Sequence, residues 1–259
     1  MPTNAKTPPS SSPKEDTTLP AHIALQLPTS WTALRDPHLH SLSRLALIPT
    51  ITPDEIKTLF LLTLIPHRRP ALLRHLDPSS LAAALPHLDF LDQPPTIPIR
   101  PLRLTPHGPT AVHPYLQDTP FTLYLQAENY YRGYLDTRSP EAILALRDLL
   151  YPPTKQTPAR PAKEVPQRHV YLLLLWMVGL HAALADLYPD LFSRPAADAD
   201  PSLTDPRTIM NTQIRALTGG DVTKTATVLQ TETHTALTEL NARAREAHES
   251  LKQVSSIKY

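Results

Sequence analysis

Apolar positions are concentrated in one long stretch of the chain, from Val170 to Ala185, which is apolar on every side of a helix. A helix of this kind must be surrounded by other helices or lie in lipid. The stretch contains sixteen residues, is interrupted by Gly179 and His181, and falls short of the roughly 20 residues needed to span a bilayer. The pattern therefore predicts a core helix at the centre of the fold and no membrane segment.

Shorter amphipathic segments lie on both sides of this stretch. Apolar residues recur every three or four positions after Thr52, within 121–135 and from Leu237 onward, which is helical spacing. The segment near 95–105 instead alternates apolar and polar residues between prolines, so we expect an extended arm or a short β-ribbon there. The sequence thus predicts an all-α protein, an irregular multi-helix bundle around the central helix at 170–185.

The content of proline and glycine, 31 and 5 residues, supports the helical prediction. Tight β-turns need glycine and strands tolerate proline badly, whereas a helix accepts proline at its first position. Several prolines directly follow a residue that can cap a helix N-terminus. These pairs are Thr52-Pro53, Asp77-Pro78, Thr119-Pro120, Ser139-Pro140 and Asp205-Pro206. Each pair predicts the start of a helix, and Glu55 adds a capping box to the first.

Proline-rich stretches with few apolar residues separate the predicted helices. Such stretches cannot bury enough apolar surface to fold, so they indicate arms and linkers. The predicted divisions are a disordered arm (1–20), a helical domain (21–151), a linker (152–168), the central helix with the helix that follows (169–217), and a long C-terminal helix (218–259).

Charge and cysteine content argue against several classes of protein. The chain has 25 basic and 24 acidic residues, so it carries no excess positive charge with which to bind nucleic acid. It has no cysteine, which excludes disulfides, thiolate zinc sites and thiol catalysis. Its first residues lack the apolar segment of a signal peptide, and we therefore expect a cytoplasmic protein.

Two residues are candidates for acid–base chemistry, Glu128 and His181. Glu128 lies among aromatic residues, where burial can raise the pKa of a carboxyl group. A buried carboxylate that bonds a tyrosine hydroxyl or an arginine is the interpretation we favour, because no partner acid or base lies nearby in the sequence. His181 lies on the apolar helix with no nucleophile visibly paired with it, which favours a core residue.

Other motifs do not meet the requirements of a metal or nucleotide site. His38 and His40 have no evident third ligand. The segment Gly219–Lys224 resembles a phosphate loop, but Thr223 stands where that loop requires glycine. We therefore predict no catalytic, cofactor-binding or metal-binding residues.

The predicted C-terminal helix carries an apolar stripe whose members are three and four positions apart, as in a heptad pattern. The stripe consists of Leu237, Leu240, Ala244, Ala247, Leu251 and Val254. It is short and includes two alanines, so it makes a weak independent coiled coil. It can pack either on its own domain or on a partner helix, and its first five residues are the candidate partner-binding site.

Four groups of short motifs occur together in this chain. They are Leu27-Pro-x-x-Trp31, Ala127-Glu-Asn-Tyr-Tyr131 with Tyr134-Leu135-x-Thr137, Trp176-x-x-Gly179 with Tyr188-Pro-x-Leu-Phe192, and Arg215-Ala-Leu-Thr-Gly-Gly-Asp-Val-Thr-Lys224. In combination they resemble an uncharacterised helical protein family of Bacteroidetes phages and prophages that is associated with tail-type gene clusters. The chain departs from this family at His234, where a tryptophan is expected. The resemblance implies small helical tail components or assembly factors without enzymatic residues.

The expected function is therefore that of a non-enzymatic structural or assembly protein of a phage tail or phage-tail-like particle, such as a tail-assembly chaperone. Its partners would be the tail tube, the tape-measure protein or related components, or a second copy of the chain. The expected location is the cytoplasm of the bacterial host, or the assembled particle. One alternative is a nucleic-acid-binding regulator with a basic patch at Arg68, Arg69 and Arg74. Another is a hydrolase or transferase built on Glu128 and His181.

Overall fold

The computed structural model describes residues 27–64, 77–154, 164–192 and 206–257. Within these ranges the backbone forms α-helices, short 3-10 turns and irregular segments, without a named β-strand. The helices are α1 (Asp36–Leu45), α2 (Pro53–Leu64), α3 (Pro78–Ala84), α4 (Phe121–Thr137), α5 (Pro140–Leu150), α6 (Gln167–Leu187), α7 (Pro206–Thr218), α8 (Thr225–Gln230) and α9 (Thr233–Ile257). The all-α prediction is confirmed.

Helix α6 is the centre of the fold, and it extends the predicted stretch 170–185 at both ends. Its buried residues include Leu172, Leu173, Trp176, Met177, Leu180 and Leu184. By length and composition it is the one helix among the described residues that could cross a bilayer, with a mean hydropathy of 1.8, and 50% of its most apolar window is buried inside the fold. Other helices therefore cover much of the apolar surface of α6, as the sequence predicts for a core helix.

Two apolar clusters hold the helices together. The main cluster surrounds α6 and takes residues from α1, α4, α5 and α9, such as Leu39, Leu146 and Leu237. A smaller cluster joins α1 and α2 to the 3-10 turn at Leu85–Asp92, through Leu42, Phe60, Leu61 and Leu88. Because the main cluster takes residues from three of the predicted divisions (21–151, 169–217 and 218–259), these parts share one core. The predicted arm 1–20 and residues 155–163 of the predicted linker lie outside the described residues.

Proline-based helix starts occur where the sequence predicts them. Before α2, the Glu55 carboxylate accepts from the Thr52 N–H at 2.6 Å and the Thr52 hydroxyl accepts from the Glu55 N–H at 3.3 Å, which is the predicted capping box. Before α5, the Ser139 hydroxyl accepts from the Ala142 N–H at 3.2 Å. Helices α3 and α7 also begin at the predicted prolines. Side-chain capping thus accompanies the starts of α2 and α5, whereas Asp77 makes no side-chain cap bond before α3.

The prediction of Thr119 as a helix cap is wrong, and so is the prediction of one long helix over 218–259. The Thr119 carbonyl accepts from the Thr233 N–H at 2.8 Å, and the Phe121 N–H donates to the Thr231 carbonyl at 2.8 Å. These antiparallel bonds join the start of α4 to the start of α9. Thr231 has extended backbone angles, which interrupts the helix between α8 and α9. Backbone hydrogen bonds between these two segments, which are distant in the sequence, therefore take the place of a continuous helix through Thr231.

The segment near 95–105 forms an irregular arm, and the β-ribbon that we considered there does not form. One isolated antiparallel bridge, from Arg103 to Thr110, is the pairing that the structure shows in this region. The prolines lack the N–H donors that a ladder requires. The arm crosses α6 at Gly179, where a Cβ atom would lie 1.9 Å from the carbonyl oxygen of Ile97. The arm therefore depends on the absence of a side chain at Gly179.

His169, near the start of α6, is a buried neutral histidine. Its residue is 5% exposed, and the Arg168 Nε donates to its Nε2 at 3.4 Å. Burial lowers the pKa of His169 to about 4, and the neighbouring charges of Arg168, His40 and Arg147 act in the same direction. The imidazole consequently remains uncharged in the folded protein through mildly acidic pH.

We expect the free energy of unfolding to decrease as pH falls from about 6.5 to about 4. In this window the unfolded state binds a proton on His169 and the folded state does not, so protonation favours unfolding. The loss reaches up to about 3 kcal/mol and is constant below the folded-state pKa. Urea denaturation across this range measures it. His169→Gln should reduce the slope by the contribution of His169 and leave that of other groups, such as His38, whose pKa burial also lowers. The exposed control His107→Gln should keep the full slope; equal slopes in all three proteins would contradict the prediction.

Candidate functional site

The two candidate acid–base residues are in direct contact, although they are 53 residues apart in the sequence. His181 Nε2 on α6 forms a hydrogen bond with Glu128 Oε1 on α4. The second carboxylate oxygen, Oε2, accepts from Arg132 Nε at 3.3 Å, one helical turn later. The Glu128 side chain is 14% exposed and that of His181 is 33% exposed. The predicted bond between a largely buried Glu128 and an arginine is therefore present, and His181, which the sequence paired with Glu128 only in the hydrolase alternative, is a second partner.

Two tyrosines of α4 lie near this pair. The Tyr131 ring packs edge-on against His181 with 5.0 Å between ring centres. Tyr124 lies one turn earlier on α4 and is 3% exposed. Burial raises the pKa of both tyrosine hydroxyls, and the negative charge of Glu128 adds to this effect. Both tyrosines are thus neutral at physiological pH and do not supply an anionic nucleophile.

The Glu128–His181 pair has the first two members of a nucleophile-activating triad, because a carboxylate orients an imidazole. A triad also needs a nucleophile within hydrogen-bond distance of the imidazole. Among the residues that the structure describes, the polar contact recorded for the His181 ring is the one with Glu128. The pair links α4 to α6 beside the main core. This structural role is enough to explain why the two side chains are largely buried, without assigning them a catalytic role.

Histidines that the sequence raised as metal ligands have other contacts. His38 Nδ1 accepts from the Arg35 N–H at 3.3 Å, and its ring packs edge-on against Phe60. His40 Nε2 lies 3.3 Å from the Arg103 carbonyl oxygen. Within the described ranges, no group of three or more acidic or histidine side chains has metal-binding geometry.

The apolar stripe of α9 is divided between the core and the surface. Leu237 is fully buried and Leu240 is 4% exposed, and both belong to the main cluster. Ala244 is partly exposed and Ala247 is exposed, while the side chain of Leu251 lies outside the described part of the chain. The first half of the stripe therefore packs on its own domain. This corrects the candidate partner-binding site, because Leu237 and Leu240 are not accessible to a partner in the folded chain.

His234, the residue that departs from the resembled family, fixes the start of α9. Its Nδ1 accepts from the Tyr188 hydroxyl at 2.7 Å, and its Nε2 donates to the Tyr115 carbonyl at 2.7 Å. The carbonyl can only accept, so the proton of the neutral ring lies on Nε2. His234 thus joins α9 both to the residue after α6 and to the loop before α4. No local spacing in the sequence indicates this network, because its members are distant along the chain.

The described structure defines an all-α protein assembled around one apolar helix. Comparisons with protein-family profiles, curated proteins and solved structures found no match. The resemblance to a phage-associated family therefore rests on the sequence motifs alone. The basic patch of the nucleic-acid alternative, at Arg68, Arg69 and Arg74, lies outside the described residues.

Proposed function

We propose that this chain is a non-enzymatic structural or assembly protein of a phage tail or phage-tail-like particle that acts through protein–protein contacts. Its partners would be tail-tube, tape-measure or related components in the cytoplasm of a bacterial host or in the assembled particle. The structure supports the proposed mode of action, which is contact with partner proteins through helical surfaces. The assignment to phage tails is supported by the combination of sequence motifs.

The observation that carries this proposal is the incomplete burial of α6. The helix is apolar on every side, but the described part of the chain completely buries only one of its faces. Half-buried side chains lie along the opposite face, at spacings of three and four residues; they are Tyr171, Leu174, Leu175, Val178 and Ala182. The polar group on this face, His181, is already bonded to Glu128.

A largely apolar face of this kind fits the apolar side of a partner helix. Helix-in-groove recognition uses side chains three and four positions apart, and the affinity comes from removing apolar surface from water. A tail-assembly chaperone would use such a surface to hold an elongated apolar partner, such as a tape-measure protein. A chaperone or structural neighbour of that protein needs an apolar helical surface and no catalytic group.

We expect the tagged full chain to retain a tape-measure or tail-tube protein when it is co-expressed with the products of a tail gene cluster. Size-exclusion chromatography with light scattering gives the stoichiometry of the complex. Val178→Lys places a charge at the middle of the half-covered face and should weaken binding by at least about tenfold, because the ammonium group must be desolvated.

The matched control is Gln126→Lys, which adds the same charge at an exposed position of α4. Binding by this variant should equal that of the unmodified chain. Circular dichroism of each protein establishes that the helical fold is intact, since the lysine at position 178 can extend its ammonium group toward solvent. A strictly monomeric chain that retains none of the tail proteins would contradict the proposal.

A further inference from the structure

A second surface feature is a small cleft at the proline-rich arm. It has a volume of about 170 Å³ and lies between the 3-10 turn at Trp31–Ala33, α1 and residues 98–100. Its walls are mainly apolar, and its one charged lining residue is an arginine; the walls include Trp31, Leu34, Leu39, Pro98 and Arg100. The Trp31 indole N–H donates to the Gln93 carbonyl at 3.1 Å, which holds this wall in place.

Arg100 has hydrogen-bond donors that the described residues do not satisfy. Its guanidinium lies over the Trp176 ring, with 5.4 Å from Cζ to the ring centre. Nε is buried and has no hydrogen-bond partner, and Nη1 reaches the Pro101 carbonyl only at 3.5 Å. Among the described residues this guanidinium forms no ion pair; Asp36, which is near enough to act on its charge, accepts from the Leu102 N–H at 2.8 Å.

A partly buried guanidinium without an ion-pair partner is unfavourable, because the smaller opposing effects of Tyr151 and Asp36 do not offset the loss of hydration. Burial accordingly lowers the pKa of Arg100. The position of the group is nevertheless fixed, because Trp176 supports its face and the Trp176 indole N–H donates to the Pro114 carbonyl at 2.9 Å. An arginine held in this way is preorganised for an anion.

We propose that this cleft binds a small carboxylate that carries an apolar group, with Arg100 as the residue that recognises the carboxylate. Because Nε is buried, the two Nη atoms of the planar guanidinium are the donors that would match a carboxylate in a two-point hydrogen bond. The aromatic and aliphatic walls would cover the apolar group. Phosphate fits less well, because the cleft has one cation and mostly apolar walls. A free acid and the carboxyl terminus of a polypeptide share this chemistry.

The two tryptophans of the chain allow a direct binding measurement, because Trp31 forms a wall of the cleft and Trp176 lies beneath Arg100. Phenylacetate represents a free acid, and N-acetylphenylalanine represents a polypeptide terminus. We expect a saturable change in tryptophan fluorescence with at least one of them, and their relative affinities identify the source of the carboxylate. The neutral analogue phenylacetamide and inorganic phosphate should each bind at least about tenfold more weakly.

Arg100→Met keeps the length of the side chain and removes its donors, and it should abolish the saturable response. Arg103→Met is the matched control, since Arg103 is an exposed arginine on the same arm, and its response should be unchanged. If Arg100→Met fails to fold, Arg100→Lys retains the charge without the planar donor pair and should still weaken carboxylate binding. The proposal is overturned if no carboxylate binds saturably, if phenylacetamide binds as well as phenylacetate, or if phosphate binds as tightly as the carboxylates.

Discussion

Gly179→Ala is expected to destabilise the fold by about 3 kcal/mol, because the new methyl group meets a backbone that cannot move aside independently. A Cβ atom at this position would lie 1.9 Å from the carbonyl oxygen of Ile97 and 2.6 Å from its carbonyl carbon. Either α6 or the proline-rich arm must shift. Urea denaturation measures the loss in free energy of unfolding, and the melting temperature should fall by roughly 6 to 12 °C.

Gly133→Ala is the matched control for this substitution. Gly133 lies inside α4, and a Cβ atom there would have no heavy atom within 4 Å outside its own helix and chain neighbours. Alanine has a higher helix propensity than glycine, so this variant should be more stable by up to about 1 kcal/mol. Opposite signs for the two Gly→Ala changes are the expected result. If Gly179→Ala also stabilised the protein, the close contact between α6 and the arm would be disproved.

Leu237→Asp is expected to cost about 4 kcal/mol or more, which is enough to unfold many domains of this size. Leu237 is fully buried in the main cluster, so the carboxylate would enter the core without a partner. If α9 packs on its own domain, the isolated chain must lose stability. Chemical denaturation of the purified chain measures this loss. Amide hydrogen exchange shows whether α9 opens separately from the rest of the fold.

Ala247→Asp places the same side chain on the exposed part of α9. The expected change in the free energy of unfolding is below about 1 kcal/mol and reflects helix propensity. The pair of variants therefore separates the buried half of the stripe from its surface half. Equal stability of Leu237→Asp and the unmodified chain would mean that α9 does not contribute to the core.

Three residues along α6 make contacts that explain why the fold depends on this helix. Trp176 supports Arg100 and donates to the Pro114 carbonyl, Gly179 admits the arm, and His181 binds Glu128. The spacing of Trp176 and Gly179 was part of the motif resemblance. In the structure, the proline-rich arm packs on one face of α6 at both Trp176 and Gly179, which explains why these two residues lie three positions apart. This face is distinct from the half-covered face that we propose for a protein partner.

Local patterns were sufficient for most of the helices. The apolar stretch predicted α6, since a helix without a polar side must be covered, and the capping residues Thr52 and Ser139 predicted the starts of α2 and α5. These signals involve residues a few positions apart, so they are readable without knowledge of the fold. The prediction failed at Thr119, where the backbone of a distant segment competes for the same carbonyl group.

The sequence alone determined the helical class, the central helix and most helix starts, because periodicity and capping act within a few residues. The tertiary structure alone decided that Glu128 meets His181, that His234 fixes α9 and that Leu237 packs in its own core. It also placed Arg100 over Trp176 beside a cleft. These contacts join residues that are far apart along the chain. Their partners follow from how the helices pack around α6, which no local pattern of residues encodes.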